Sequence, residues 1–142
     1  MAKSIFVDGA ISAEFIGNSI AKHQSKTRIG AHQIFLGQVR ADKIEGEEVT
    51  TIDYTSYEDM ANAKMLEIRE DIFENNAITC MHVYHSLGKV KTGEICLFVF
   101  VSSPHRNESQ VVCKQLVERV KNELPIWGKE LTAESENWKV NK

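Results

Sequence analysis

The sequence predicts an α+β fold in which helices pack on a largely antiparallel sheet. Two neighbouring apolar segments, 77–88 and 94–103, are separated by a short glycine-containing connection, which is typical of a hairpin. Segments with apolar residues at helical spacing lie on both sides of that hairpin in the chain. Neither a Pro/Gly-rich linker nor an internal repeat divides the 142 residues, so we expect a single domain over 1–142.

Three helices are predicted from apolar residues that recur every three or four positions. The first spans 11–24. The second spans 57–76, where two consecutive asparagines form a stop signal. The third runs through 111–124 until Pro125 ends it, because proline cannot continue the hydrogen-bond pattern of a helix.

Strands are predicted where β-favouring residues alternate with polar ones or form apolar runs. Residues 31–41 form a strand that runs into a turn, and 48–57 alternates as a half-buried strand does. Residues 94–103 are nearly all apolar, so this strand is expected to be central in its sheet. Two short extended pieces, 126–132 and 136–140, close the chain.

An unusual set of residues stands where the apolar strand passes into the third helix. Ser102 or Ser103 is expected to supply the helix N-cap, with Pro104 in the first turn. His105 and Arg106 then lie at the positive end of the helix dipole, which disfavours cations. Their presence there indicates that an anion binds near this helix start.

The overall charge limits which partners are expected. The formal net charge is −3, from 17 basic and 20 acidic side chains. Nucleic-acid binders and anionic-membrane binders usually carry a basic surplus, so both classes are disfavoured. Any anion site must therefore be a local concentration of positive charge. The chain start resembles no signal peptide and no segment has membrane-helix length, so a cytoplasmic location is expected.

Cysteine and histidine residues give no metal or disulfide pattern. Three widely spaced cysteines stand in apolar contexts and are expected to be reduced core residues rather than zinc ligands: Cys80, Cys96 and Cys113. His82 and His85 are three apart, which puts them on opposite faces of a strand. His23 and His32 are isolated in the sequence. We therefore predict no metal site.

The candidates for chemistry are cations. Nucleotide-binding loops and a serine nucleophile motif are both missing. The cations in unusual settings are Arg40, His105, Arg106, Lys121 and Lys129. From spacing alone, a set of solvated surface charges is the simpler explanation. Arg106 and Lys121 are 15 positions apart on one predicted helix, hence roughly 22 Å apart. They serve different sites, or one of them comes from a second copy of the chain.

Several longer motifs surround these cations. They are F-L-G-Q-V-R at 35–40, Y-x-x-Y-x-x-M-A at 54–61, H-x-x-G-x-V-x-x-G-E at 85–94, S-P-H-R at 103–106 and K-N-E-L-P-I-W-G-K-E at 121–130. In order and spacing, from about residue 30 to the terminal W-K-V, the chain resembles the large, catalytic subunit of molybdopterin synthase. The resemblance implies an α/β-hammerhead fold.

The resemblance also implies an activity and partners. The expected reaction inserts sulfur into cyclic pyranopterin monophosphate and forms the dithiolene of molybdopterin. The sulfur is expected as a thiocarboxylate on the C-terminal Gly-Gly of a small ubiquitin-like subunit. The large subunit is expected to form a homodimer with one partner at each end, a heterotetramer. Neither a metal nor an organic cofactor is expected for the transfer.

Site residues follow from the motifs that match. Lys121 matches the family lysine with the central catalytic role. Arg40, His105 and Arg106 match residues that hold the anionic pterin. The substrate-binding surface is expected to include further positions of the matched motifs, namely Gln38, Val39, Gly128 and Glu130. His105 and Arg106 of one copy are expected to face Arg40 and Lys121 of the other.

One departure from the family concerns Gly128. A lysine usually follows P-I-W in the family, but here Gly128 stands there and Lys129 comes next. Lys129 takes over the catalytic role of that lysine if the glycine permits a local bulge, since a one-position shift otherwise turns the side chain to the other face. The alternative function is a non-catalytic module that binds a ubiquitin-like tail or an anionic metabolite.

Overall fold

The described part of the chain, residues 4–133 and 135–139 of a computed structural model, contains three helices and nine strands. The helices are α1 (Ala13–His23), α2 (Glu58–Asn75) and α3 (Arg106–Glu123). The strands are β1 (Phe6–Asp8), β2 (Ala31–Gln38), β3 (Lys43–Ile44), β4 (Glu47–Glu48), β5 (Thr51–Ser56), β6 (Cys80–Lys91), β7 (Ile95–Ser103), β8 (Ile126–Leu131) and β9 (Glu136–Trp138). None of the helices in this part of the chain is long and apolar enough to cross a membrane.

Seven strands form one sheet, in the order β2-β7-β6-β5-β8-β9 with β1 added to β6. Every pair along that order is antiparallel, and β1 is parallel to β6. β7 lies between β2 and β6, and all of its residues after the first are buried. The predicted α+β class, the largely antiparallel sheet and the central position of 94–103 are confirmed. β3 and β4 form a separate ribbon.

Helices cover both faces of the sheet because side chains alternate along its central strands. Leu97, Val99 and Val101 of β7 point to one face and pack with α2 and α3 in the largest core cluster. Phe98 and Phe100 point to the other face and pack against α1. Each fully buried side chain of this size stabilises the fold by about 1.5–3 kcal/mol relative to its exposed state.

The predicted second and third helices are confirmed, with small shifts at their ends. α2 buries Met65, Ile68 and Ile72, and its C-cap is Asn76. α3 ends at Glu123, and the residue before Pro125 is extended, as the proline ring requires. Their apolar faces pack on β6 and β7, and this packing holds the end of α3 against the sheet.

The predicted N-cap of α3 is wrong by two or three residues. Ser103 still pairs with Ala31 of β2, so the chain cannot enter the helix there. The N-cap is His105, in an extended conformation and without a side-chain capping bond, and Pro104 precedes it. The Ser103 hydroxyl nevertheless accepts a hydrogen bond from the backbone N–H of Ser109, 3.1 Å away. Ser102 instead pairs with the ring of His32, 2.7 Å away.

β5, β8 and β9 continue the sheet from β6, on the side away from β7. β8 pairs with β5 in one unbroken register, from Thr51 opposite Leu131 to Ser56 opposite Ile126. β9 pairs with β8 and is shorter than the predicted piece 136–140, whose last residue lies outside the described part of the chain. The ends of the predicted domain 1–142 also lie outside it, and its extent stays a prediction.

Candidate functional site

A narrow cavity of about 160 Å³ lies where the last turn of α3 meets β8. Lys121 stands at this turn and lines the cavity with Leu124 of the same segment. Trp127 and Gly128 line it from β8, and His85 lines it from β6. The walls are mixed: apolar side chains such as Leu97, Val120 and Leu124 line one part, and Gln38, Lys121 and Lys139 line another.

A wider groove of about 670 Å³ adjoins this cavity and shares four of its lining residues. The shared residues are Gly37, Gln38, Lys121 and Lys139. The groove is lined by four basic side chains, Arg40, Lys43, Lys121 and Lys139, and by two acidic ones, Asp42 and Glu130. A chain with a net negative charge thus carries a basic groove, which lies away from the start of α3 where the sequence predicted an anion site.

His85 forms an uncharged wall of the narrow cavity. Burial lowers the pKa of His85, the hydrogen bond to the Ser86 carbonyl raises it, and the nearby charges of Lys121 and Lys139 lower it further. The net direction is downward, so the imidazole is neutral near pH 7. Its Nδ1 lies 2.8 Å from the Ser86 carbonyl oxygen and must donate, since a carbonyl only accepts. The other ring nitrogen then carries a lone pair.

Tyr54 stacks its ring edge on His85, with ring centroids 4.9 Å apart. Its hydroxyl donates to the Cys96 sulfur at 3.4 Å. Burial, followed by the proximity of Cys96, raises the pKa of Tyr54, so the phenol stays protonated at all relevant pH values. Tyr54 therefore forms a neutral wall beneath the charged mouth, held in place by its hydrogen bond to Cys96.

Arg40 lies on the rim of the basic groove. Its Nε and one terminal nitrogen donate to the two carboxylate oxygens of Asp42, at 2.7 and 3.2 Å. The pair is exposed, so it contributes little to stability. Because the Arg40 side chain is exposed, its guanidinium can exchange this partner for a phosphate oxygen without being desolvated.

Comparison with known proteins identifies the family of this chain. The family model described as MoaE protein matches residues 11–123. The chain belongs to this family. The molybdopterin synthase catalytic subunit of Pyrococcus abyssi is 34% identical over 114 residues, which cover 80% of this chain and 76% of that protein. The human protein of the same name is 34% identical over 113 residues, covering 80% of this chain and 60% of that protein.

Solved structures of the MoaE family agree with the fold. The X-ray crystal structure of molybdopterin synthase from Staphylococcus aureus has a TM-score of 0.81 at 25% identity and covers 99% of this chain and 98% of that chain. A complex of subunits 1 and 2 of the molybdopterin-converting factor from Helicobacter pylori has a TM-score of 0.81 at 18% identity, covering 96% and 90%. The family resemblance and the prediction of an enzyme subunit are therefore confirmed.

The structure gives a reason for glycine at position 128, where the resemblance led us to expect a lysine. A Cβ atom at this position would lie 2.8 Å from Cγ2 of Ile52 and 3.1 Å from Cε1 of Tyr54. Real Cβ atoms essentially never show the first distance. Both neighbours are buried core residues, so a side chain at 128 has no space unless they move.

Lys139 lies beside Gly128 across the pairing of β8 with β9. The backbone N–H of Lys139 donates to the Gly128 carbonyl at 2.8 Å, just past the β8–β9 ladder. Its side chain lines the cavity and the groove together with Lys121. Sequence analysis missed Lys139 because the two positions are adjacent only across strands. One feature of the sequence could have indicated it: the terminal W-K-V follows P-I-W after a gap short enough for the two segments to pair as a hairpin.

Lys129 points away from Lys121. The β5–β8 register is continuous through Gly128, so the strand has no bulge there and adjacent side chains face opposite sides. The Lys129 ammonium lies 3.4 Å from a Glu136 carboxylate oxygen and 4.9 Å from the centre of the Trp138 ring. These contacts hold Lys129 on the far side of β8, so the geometry does not support the predicted substitution for the family lysine.

The remaining predicted positions fall into three groups. Gln38 and Glu130 line the groove, as expected for substrate-binding residues. Val39 is buried, so its side chain positions its neighbours rather than contacting a ligand. His105 and Arg106 are exposed at the start of α3 and line neither the cavity nor the groove. One helix separates them from Lys121, as the sequence predicted.

Proposed function

We propose that this chain is the sulfur-transferring subunit of a molybdopterin synthase. It moves sulfur from the C-terminal thiocarboxylate of a small ubiquitin-like carrier to cyclic pyranopterin monophosphate and forms the dithiolene of molybdopterin. The observation that carries the proposal is the position of Lys121, which lines both the narrow cavity and the basic groove. A sulfur donor in the cavity and a sulfur acceptor in the groove would therefore meet at the Lys121 ammonium.

The shapes of the two spaces fit the two substrates. A Gly-Gly tail has no side chains, so in an extended conformation it is narrow enough for a cavity of about 160 Å³. The groove is larger and has an excess of basic residues, which suits a phosphate-bearing pterin. Arg40 on the rim supplies the planar pair of donors that matches two phosphate oxygens.

Lys121 acts on charge that develops at the carrier carbonyl. The carrier's thiocarboxylate sulfur first displaces an oxygen leaving group of the pterin, which gives a thioester. Water then attacks the thioester carbonyl, whose oxygen becomes negative and is stabilised by an ammonium within hydrogen-bond reach. The carrier's C–S bond breaks, leaving the sulfur on the pterin and a carboxylate on the carrier. Lys139 supplies a second positive charge in the same cavity, and His85, which lines it too, remains neutral. The chemistry needs no cysteine of this chain, because the carrier brings the sulfur.

The carrier docks on the surface outside the cavity. Tyr57 and Trp127 meet edge to face there, with ring centroids 5.0 Å apart. Tyr57, Met60 and Trp127 are exposed by 62%, 62% and 44%. Exposed aromatic and methionine side chains are enriched in protein interfaces. Trp127 also lines the cavity, so the same side chain joins the docking surface to the tail channel.

The active site is shared between two copies of the chain. His105 and Arg106 stand about 22 Å of helix away from Lys121, so a compact substrate cannot reach both on one copy. In a symmetric dimer, the second copy brings its α3 start to the groove of the first. A substrate phosphate then meets Arg40 from one copy and Arg106 from the other.

A single-turnover assay tests the sulfur transfer. Purified protein, thiocarboxylated carrier and cyclic pyranopterin monophosphate are combined, and Lys121→Ala is compared with Lys114→Ala, an exposed lysine on the same helix. Lys121→Ala is expected to lower the rate by about 10²–10³-fold, the usual loss for a group that stabilises developing charge. Carrier binding, measured separately, stays within a few-fold, and Lys114→Ala behaves as the unchanged protein.

The same assay separates the enzyme from its alternative. A non-catalytic module would bind the carrier or the metabolite, yet the unchanged protein would form no product. That result would overturn the sulfur-transfer proposal and leave the binding function.

Mixing two inactive variants tests the shared site. If Lys121 and Arg106 act across the dimer, a heterodimer of Lys121→Ala and Arg106→Ala contains one intact site. Equal mixing makes half of the dimers hybrid, so about a quarter of the full activity returns. If both residues act within one copy, every site in the mixture lacks one of them and activity stays at the level of the single variants.

A further inference from the structure

A second cluster of reactive side chains lies on the opposite face of the sheet from His85. His23 ends α1, and Cys80 and His82 begin β6. One ligand atom from each residue lies within 4.8 Å of the others, and the two Nε2 atoms of the histidines are 2.9 Å apart. His23 is isolated in the sequence, but α1 folds back over the strand and carries it to Cys80 and His82.

We propose that His23, Cys80 and His82 form a binding site for a divalent cation of the zinc class. Imidazole nitrogen and thiolate sulfur are the ligands that zinc prefers, whereas calcium and magnesium require oxygen. Cys80 and His82 are two positions apart on a strand, so their side chains share one face. His23 approaches that face from the helix and completes a three-ligand set.

The separations are close to those of a tetrahedral zinc site. With Zn–N near 2.05 Å and Zn–S near 2.3 Å, tetrahedral geometry puts two nitrogens about 3.3 Å apart and nitrogen and sulfur about 3.6 Å apart. The two histidine nitrogens must separate by a few tenths of an ångström. The other pairs must close by at most about 1.2 Å, which small side-chain rotations supply.

A hydrogen bond already orients the ring of His23. Its Nδ1 lies 2.7 Å from the Ser19 carbonyl oxygen, so Nδ1 carries the hydrogen and Nε2 presents a lone pair to the cluster. Histidine ligands of metals are usually held in this way by a carbonyl or carboxylate behind the ring. Without a cation, the Nε2–H of His82 donates to the Nε2 of His23. Binding requires the other tautomer of His82, with its hydrogen on Nδ1, and releases the thiol proton of Cys80.

The surroundings favour binding and leave an entry path. Cys80 is 5% exposed, and the Phe100 ring packs against His23 with centroids 4.8 Å apart, so the floor is apolar. His23 and His82 are half-buried, so the outer side is open to solvent, where water supplies a fourth ligand. The Lys26 ammonium lies 3.0 Å from the Cys80 sulfur. Its charge opposes a cation, but its residue is exposed and the side chain can move away.

A bound cation would fasten α1 to the sheet. None of the side chains of α1 is fully buried, so the helix is held mainly by partly buried contacts of Phe15, Ile16 and Ile20 with the sheet. The cation would add a link between its last turn and β6. Because only the folded chain presents these ligands together, binding raises the free energy of unfolding.

The experiment uses the full chain without an affinity tag, titrated with Co²⁺ and then with Zn²⁺. One Co²⁺ per chain is expected, with the visible absorption of tetrahedral cobalt and a thiolate-to-cobalt charge-transfer band. Zn²⁺ displaces it stoichiometrically. Failure to bind one equivalent, or binding without the thiolate band, would overturn the proposal even if every variant misfolded.

Variants then assign the ligands. Cys80→Ala is expected to abolish the thiolate band and to weaken Zn²⁺ binding at least tenfold, and His82→Asn to weaken it comparably. Cys113→Ala, the matched change of a buried cysteine in α3, leaves both readouts unchanged. Lys26→Gln tightens binding by removing the opposing charge. Zn²⁺ raises Tm and slows amide exchange in α1 of the unchanged protein but not of Cys80→Ala. Equal losses in Cys80→Ala and Cys113→Ala would place the cation elsewhere.

Discussion

Replacement of Gly128 by alanine measures how tightly the candidate site is packed. The added Cβ would lie 2.8 Å from Cγ2 of Ile52, whereas carbon atoms in good contact are about 3.5–4.0 Å apart. Ile52 is 1% exposed and β-branched, so its methyl group cannot rotate out of the way. Overpacking of this kind costs about 1–3 kcal/mol of unfolding free energy.

Thermal unfolding reads this change directly. With an unfolding entropy of about 2.1 cal/mol/K per residue, 1 kcal/mol shifts Tm by about 3 °C in a chain of this length, so Gly128→Ala should lower Tm by about 3–10 °C. Gly17→Ala is the control, because a Cβ there meets no atom within 4 Å and the position lies inside α1. That variant should gain up to about 1 kcal/mol.

A double-mutant cycle identifies the contact responsible. Ile52→Ala removes Cγ2 and is destabilising on its own. In that background, Gly128→Ala should cost at least about 1 kcal/mol less than in the unchanged protein. Strict additivity, or an unchanged Tm for Gly128→Ala alone, would refute the steric explanation of the glycine.

Three further predictions concern charge. Lys139→Ala should lower the sulfur-transfer rate at least tenfold, whereas Lys129→Ala should leave it within a few-fold; the reverse order would reject the assignment of Lys139. Because the folded pKa of His85 is lowered, the unfolded chain binds its proton first, so stability falls as pH drops below about 6.5, by up to about 1.4 kcal/mol per pH unit. In urea unfolding between pH 7.5 and 5.5, His85→Gln should lose less free energy of unfolding than the unchanged protein. Asp42→Asn frees Arg40 and should tighten inorganic phosphate binding by up to about fivefold at low salt, measured by calorimetry.

Local periodicity predicted the parts of the fold that local patterns determine. The apolar spacing of α2 and the apolar run of β7 identify one element each, because the residues that decide them lie within one turn or one strand. β1 was not predicted. It is three residues long, and its pairing with β6 depends on a partner about 80 positions away, which no local pattern encodes.

The site residues also divide into those that belong to local motifs and those that become neighbours only in the folded chain. Lys121, Gln38 and Arg40 belong to contiguous motifs and were predicted. Lys139 and the His23 cluster depend on which strands and helices become neighbours. The pairing of β8 with β9 brings Lys139 opposite Gly128, and the packing of α1 on the sheet brings His23 to His82. Each requires the tertiary structure.

The contrast between the acidic chain and its basic groove also has a kinetic consequence. A small anion that diffuses toward this protein meets the repulsion of its net negative charge and the attraction of the basic groove. Its arrival is therefore guided toward the groove, and the guidance reaches about as far as the Debye length, near 8 Å in physiological salt. The association rate of the substrate should fall as ionic strength rises. The rate of sulfur transfer in the bound complex should not fall, because the reacting groups are shielded from salt within the site.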